Sequence, residues 1–446
     1  MKQNLKQQII NKSWYFWEYW GRFVPEPLVP IMDEIRDAFF TLKEDEKFLA
    51  ELKDLYANYV GRPSPLIYAK NLTEKLGWAK IFLKNEWTNH TGAHKINHCV
   101  GQALVAKYLW KKRIIAETWA GQHWLATSAI CAKLNLECVI YMGKKDYDRQ
   151  RPNVYYMELA WAKVIPVYEG NMTLRDAVNA ALKDLLNNSE NSYYLLWTAC
   201  WPNPYPAMNV FFQKIIGEEV RKQLIPLSQP FPQREKGVEK NNIPSPLGGG
   251  LGRGPDYLIA CVWWWSNSGG LFYEFLDDKN VKLIWVEAGG EWIIPWKHAA
   301  RFQQKQVWVV EWFKSFFLQN KDWQVQDTSS ISAGLDYSWV SPQLTYLEEI
   351  WRVEMKYATD KEVLEAVKML MKTEWILPAL ESAHAVVEAT KLAPTLDKEK
   401  IIVIGISGRW DKDLFITAPK LDEKFVPFLK DYIKTSPQPS PLEERE

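Results

Sequence analysis

Glycine is scarce in this chain: 22 residues of 446, where a usual level of about 7% would give roughly 31. Long apolar runs are missing too. None approaches the length needed to cross a bilayer, and the amino-terminal stretch MKQNLKQQIINKSW has no apolar signal core. Neither sign of charge is in excess: the formal net charge is +1 with 24% charged residues, which gives no bias toward nucleic acid or membrane. Cysteine is sparse, five residues with no CxxC spacing, which argues against a disulfide framework or a zinc cluster and suits a reducing cytosol. These exclusions leave a soluble cytosolic enzyme of two or three domains, or one with two intimately packed lobes. What the chain has in excess is tryptophan, with 24 residues.

From about Lys80 onward, short β-branched runs alternate with amphipathic stretches. The runs predict strands at Ile81–Lys84, Arg113–Thr118, Glu137–Gly143, Lys163–Tyr168, Tyr193–Thr198, Asp256–Val262, Lys282–Ala288 and Lys400–Ser407. Helices are predicted at His94–Trp110, Asn153–Trp161, Thr173–Asn187 and Met208–Gln223. In the first, Ile96, Val100, Ala103, Leu104 and Lys107 fall near one face. The alternation implies an α/β protein with mostly parallel, doubly wound sheets and sites at the carboxyl ends of strands. Residues 226–254 and 433–446, rich in Pro and charge, cannot build a core and are expected to be a solvated insertion and a frayed tail.

The strongest local signal is Asn89-His90-Thr91-Gly92-Ala93-His94-Lys95-Ile96-Asn97, which follows a strand and opens a helix. A lysine in a helix's first turn opposes the macrodipole, so it needs a task, such as becoming an imine nitrogen beside a bound phosphate. The string resembles the cofactor-lysine motif of the tryptophan synthase β-chain family, enzymes of fold-type II that use pyridoxal phosphate. Further matches are GRFVPE (Gly21–Glu26), GRPSPL (Gly61–Leu66), RIIAETWAGQHW (Arg113–Trp124), RQRPNV (Arg149–Val154) and PNPYP (Pro202–Pro206). Later come SNSGG (Ser266–Gly270), SISAGLDY (Ser330–Tyr337), PALESAHA (Pro378–Ala385) and SGRWDKD (Ser407–Asp413).

The resemblance implies two lobes, each a mostly parallel sheet flanked by helices. Residues 1–58 and 94–212 would carry the cofactor lysine, and residues 59–93 and 213–432 the phosphate loop. Lys95 would hold pyridoxal phosphate as a Schiff base and take the serine Cα proton, with Glu117 shuttling protons to the serine hydroxyl and from indole. A Glu ending an apolar strand (IIAE) suits a raised pKa. Thr118, Ala120, Gly121, Gln122 and His123 match the loop that binds the substrate carboxylate. His94, Gln122, Ser266, Asn267 and Glu381 match cofactor neighbours, and Ser407 would face the pyridine nitrogen as a neutral hydroxyl. Asp336 and Arg149 match a pair that orders the closing lobe, with Asp336 near the serine hydroxyl. The family also implies L-serine and indole as substrates, an α subunit that delivers indole, a β homodimer within an α2β2 complex, and a monovalent cation as a further cofactor.

One feature conflicts with that resemblance. The family's phosphate loop has three glycines where this chain has Trp263, Trp264 and Trp265, and three indoles would fill the phosphate's place. Family-glycine positions also hold Trp14, Trp17, Trp20, Trp78, Trp110, Trp119, Trp124, Trp161, Trp197, Trp201, Trp285, Trp292, Trp296, Trp308, Trp312, Trp323, Trp339, Trp351, Trp375 and Trp410; only Trp87 stands elsewhere. Overpacking costs typically about 1–3 kcal/mol per site against a total stability of about 5–15 kcal/mol, so one fold could not carry them all. Some bacteria read UGA as glycine while other codes read it as tryptophan. The pattern implies a glycine-rich enzyme written in the wrong code; the alternative is a Trp-rich pseudoenzyme. Asn203, Gln343, Leu344 and Gly405 also depart from the family's residues and bear on fine pocket geometry.

Overall fold

A computed structural model describes residues 4–12, 15–16, 19–21, 23–77, 79–118, 122–149, 151–200, 202–224, 254–262, 264–310, 313–409 and 414–435. Its strands form three sheets. The largest has the order Val353–Ala358, Lys282–Ala288, Tyr257–Cys261, Ile401–Ile406, Lys80–Asn85 and Leu66–Tyr68, parallel except for the last pair. The second has the order Lys163–Val167, Glu137–Gly143, Arg113–Thr118 and Ser192–Tyr194, all parallel. Covering both faces of a parallel sheet demands near-continuous apolar strands. Ile401–Ile406 meets that demand, with every residue buried.

Differences from the sequence reading have local causes. The strand expected at Tyr193–Thr198 ends at Tyr194, and the helix expected at Met208–Gln223 is two helices, Tyr205–Gln213 and Ile215–Leu224, separated at Lys214. A small antiparallel sheet of Tyr15–Phe16, Tyr19–Trp20, Phe313–Phe317 and Gln306–Val310 was not foreseen, since two-residue strands carry no periodicity. The final helix, Phe425–Thr435, continues three residues into the stretch expected as tail. The rest of that tail, and the insertion up to residue 253, lie outside the described residues.

Helix Lys95–Tyr108 does more than bury one face. Every residue from Ile96 to Ala106 is buried, because helices Gln122–Leu134 and Tyr205–Gln213 both pack on it. Lys107, placed by its spacing on the inner face, is instead exposed and pairs with Glu51. Among the described residues, ten non-glycine residues have positive φ, and six of them are tryptophans: Trp110, Trp161, Trp296, Trp323, Trp351 and Trp375. A strained backbone of this kind costs of order 1–3 kcal/mol per residue. Six together are comparable with the whole ~5–15 kcal/mol stability of a fold. No helix among the described residues is long and apolar enough to cross a membrane. All five cysteines are buried and unbridged.

Candidate active site

Strand Lys80–Asn85 gives way to two tight turns, Glu86–Thr88 and His90–Gly92, and then to the lysine helix. That turn is fastened to the end of strand Ile401–Ile406. The His94 N–H donates to the Ser407 carbonyl at 2.9 Å, the Arg409 N–H donates to the Gly92 carbonyl at 3.1 Å, and Ala93 bridges Gly408. Backbone bonds thus hold Lys95 beside Ser407 across a long sequence separation. The Lys95 ammonium donates to the Trp197 carbonyl at 2.7 Å. Burial lowers its pKa to about 8, so a neutral, nucleophilic amine is accessible near physiological pH. Burial, with the charge of Lys95 beside it, takes His94 down to about 4, so its imidazole is neutral.

Glu117 is the last residue but one of strand Arg113–Thr118 and is fully buried. Tyr194 faces it from the neighbouring strand; burial, and then the negative charge of Glu117, raises the phenol's pKa well above its usual value. No motif in the sequence singled out that phenol. Thr118, Gln122 and His123 line the same cavity as Lys95 and Glu117, a space of about 830 Å³ counting its open mouth. Gln122 Oε1 is buried and meets no donor among the described residues. His123 Nε2 lies 3.1 Å from the Leu195 carbonyl, and burial keeps the ring neutral. Ala120 and Gly121 lie outside the described residues.

On the opposite wall, the Ser407 and Ser382 hydroxyls are 2.9 Å apart, and Ser382 Oγ also accepts the Ser407 N–H at 2.9 Å. Ser382 sits inside PALESAHA but was not singled out there. Glu381, next to it, accepts the Gly334 N–H at 3.1 Å. Lys95, Glu117 and Ser407, from three elements, therefore open onto one space, with Ser382 behind Ser407. The family described as "Pyridoxal-phosphate dependent enzyme" matches residues 58–230. The chain is 44% identical over 410 residues to the tryptophan synthase beta chain of Methylibium petroleiphilum, covering 92% of this chain and 94% of that one. It is 45% identical over 404 residues to the tryptophan synthase beta chain of Acinetobacter baylyi, covering 91% and 94%.

The chain belongs to the tryptophan synthase beta chain family. It is therefore a pyridoxal-phosphate-dependent lyase of tryptophan biosynthesis. None of the four departures from the family, Asn203, Gln343, Leu344 and Gly405, lines the cavity. Asp336 is half-buried and also outside that lining, although Leu335 is in it. The charge of Asp336 acts on Arg301, a buried cation 2.8 Å from Glu287. Only the backbone of Arg149, at the end of helix Lys144–Arg149, is described, so its expected partnership with Asp336 lies beyond the described atoms.

Cofactor fit differs between the two ends of the cavity. Around Lys95 and Ser407 the donor set suits a pyridoxal ring: an amine with a lowered pKa shares the cavity with a neutral hydroxyl. At the end where the sequence resemblance puts the phosphate, Ser266 and Asn267 line the cavity, and the Gln213 side chain donates to both Ser266 Oγ and the His94 carbonyl at 3.1 Å. Gln213, unforeseen in the sequence, thus joins the lysine turn to the segment of Ser266. Trp264 and Trp265, however, are buried in that wall. The Trp264 ring lies edge-on to Trp197 at 5.2 Å, and Trp265 edge-on to Trp285 at 5.0 Å. A phosphate needs bare amides there, and indole rings do not fit it. Trp263 lies outside the described residues.

Proposed function

We propose that Lys95 and Glu117 carry out in this chain the β-replacement that joins L-serine and indole, giving L-tryptophan and water. The observation that supports it is the opening of Lys95, Glu117 and Ser407, from three separate elements, onto one cavity. Pyridoxal phosphate, when bound, supplies an electron sink for the charge left at the serine Cα. Lys95 is the amine suited to hold it, to take up the Cα proton and to return that proton to Cα once indole has added. Glu117 would give a proton to the serine hydroxyl, which leaves as water, and take one from the indole nitrogen as indole C3 bonds to Cβ; loss of the C3 proton and reprotonation of the nitrogen then restore the indole ring, so the proton count closes. Glu117 is fully buried beside Tyr194.

Ser407, braced by Ser382, would offer the ring nitrogen a neutral hydroxyl rather than a carboxylate. Thr118, Ala120, Gly121, Gln122 and His123 receive the serine carboxylate, for which the helix start at Gln122 is favourable. Asp336 and Arg149 order the closing lobe. Residues 1–58 and 94–212 form the lobe with Lys95, and residues 59–93 and 213–432 the lobe with Ser266 and Ser407. The working assembly is a β dimer with an α subunit that supplies indole, in the cytoplasm. The test is product analysis with serine alone and with serine plus indole, using protein from its own host. Tryptophan formation that requires indole supports the reading. A 2-oxo acid made equally well without indole would point to a dehydratase, and no turnover with cofactor bound to a pseudoenzyme.

A further inference from the structure

The strained tryptophans are not scattered at random over the backbone. After helix Lys95–Tyr108, the Trp110 N–H donates to Lys107 and the Lys111 N–H to Ala106, both at 3.0 Å. After helix Arg151–Leu159, Trp161 donates to Glu158 at 3.0 Å and Ala162 to Met157 at 3.1 Å. After helix Pro342–Glu349, Trp351 donates to Glu348 at 2.9 Å and Arg352 to Leu347 at 3.0 Å. This pair of bonds is the Schellman closure, whose first residue past the cap is left-handed and usually glycine. Helix Asp360–Glu374 ends in the simpler left-handed cap, with Trp375 at φ 54° donating to Met371 at 3.1 Å.

Other helices in the same molecule show what normally fills such a position. Asn135, with bonds from Asn135 to Ala132 and from Leu136 to Cys131, closes helix Gln122–Leu134 in the same way. Gly77, donating to Thr73, closes helix Lys70–Leu76. Asn and Gly tolerate that backbone, whereas for a bulky residue it is an outlier. Trp323 is at φ 64° where a turn from Asn320 enters an antiparallel bridge between Gln319 and Val325, another place for glycine.

No packing compensates at the helix ends: Trp110, Trp161, Trp351 and Trp375 are 88%, 92%, 90% and 79% exposed. Inside the protein the difficulty is the opposite one. Trp124, Trp265, Trp285 and Trp339 are buried with indole N–H groups that meet no acceptor among the described residues. The indole N–H of half-buried Trp87 also meets no acceptor among the described residues, at a position where glycine is not expected, so the helix caps carry the argument and the buried set follows it.

We propose that the protein in its host carries glycine at these left-handed positions and at residues 263–265, one codon being written here as tryptophan and read there as glycine. The segment leading into Ser266 is then a chain of bare amides that receives the cofactor phosphate, and the misfit at that end of the cavity disappears. Nothing in this depends on which reaction the enzyme performs.

The test begins with peptide masses from the protein purified from its host. Peptides spanning Trp110, Trp161, Trp351, Trp375 and Trp263–Trp265 are expected at the glycine mass, with UGA codons behind them. Tryptophan masses at the caps, or UGG codons, would overturn the proposal. A second measurement needs no host: two recombinant proteins, one as written and one with glycine at every tryptophan position except Trp87. The glycine form should melt cooperatively and take up pyridoxal phosphate, and the written form should do neither. Equal cofactor uptake by the two forms would overturn the proposal. Glycine masses in a protein that makes no tryptophan would sink the reaction assigned above and leave this inference standing.

Discussion

Glu117 is fully enclosed, beside a phenol whose own proton is held by burial and by that carboxylate. Replacing it with Gln removes the proton carrier and keeps the volume. In the glycine-bearing protein, Glu117→Gln should retain cofactor absorbance and lose about 10²–10⁴-fold in turnover; turnover within twofold of the parent would place the role elsewhere. Lys95 gives a pH prediction. With its pKa lowered to about 8 by burial, its reaction with an aldehyde should quicken as pH rises toward 8 and level off above it. A rise continuing to pH 10 would show an ordinary exposed lysine. Lys95 and Ser407 were legible in the sequence because each sits in a contiguous motif. Ser382, Tyr194 and Gln213 were not, since each acts through a contact with a distant segment that spacing does not reveal.

Elements are joined by a buried ionic cluster that the GRPSPL motif did not disclose. The Arg62 guanidinium bonds Glu86 at 2.8 and 3.0 Å, Glu219 at 2.8 Å and Asn97 at 2.9 Å; Lys84 adds a 2.6 Å bond to Glu219. The cluster ties the lysine helix to strand Lys80–Asn85 and helix Ile215–Leu224. Burial opposes the charge on Glu86, and Arg62 outweighs it, holding the carboxyl well below its usual range. A depressed carboxyl stabilises the fold above the ordinary carboxylate pKa, and that stability is lost as pH falls through the lowered value. Arg62→Met should cost about 3–5 kcal/mol by denaturant midpoint at neutral pH, because it strands buried carboxylates. The gap from the parent should narrow in acid. A loss under ~1 kcal/mol would mean that the cluster is solvated.

The helix caps make a separate prediction at this scale. In the otherwise glycine-bearing protein, keeping tryptophan at residue 351 or at residue 161 alone should destabilise by roughly 1–2 kcal/mol, since a left-handed backbone penalises an L side chain by about that much. Stabilisation would show that the indole packs usefully. Most strands of the two parallel sheets were legible as β-branched runs, and Arg113–Thr118, Glu137–Gly143 and Lys282–Ala288 match residue for residue. The break at Lys214 was not, because apolar spacing continues across it and Lys214 itself keeps a helical backbone.

Across the whole molecule, the two parallel sheets present strand ends to one cavity, with Glu117 on one and Ser407 following the other. Alternating strands and helices announced that class of architecture, while the placement of the cavity between particular strand ends came from backbone bonds such as His94 to Ser407. The most direct measurement is borohydride reduction of cofactor-loaded protein from its host, followed by peptide mapping. A site built around the turn fastened to Ser407 predicts the reduced cofactor on Lys95 and nowhere else. Label on any other lysine, or none in a protein with full cofactor absorbance, would contradict it.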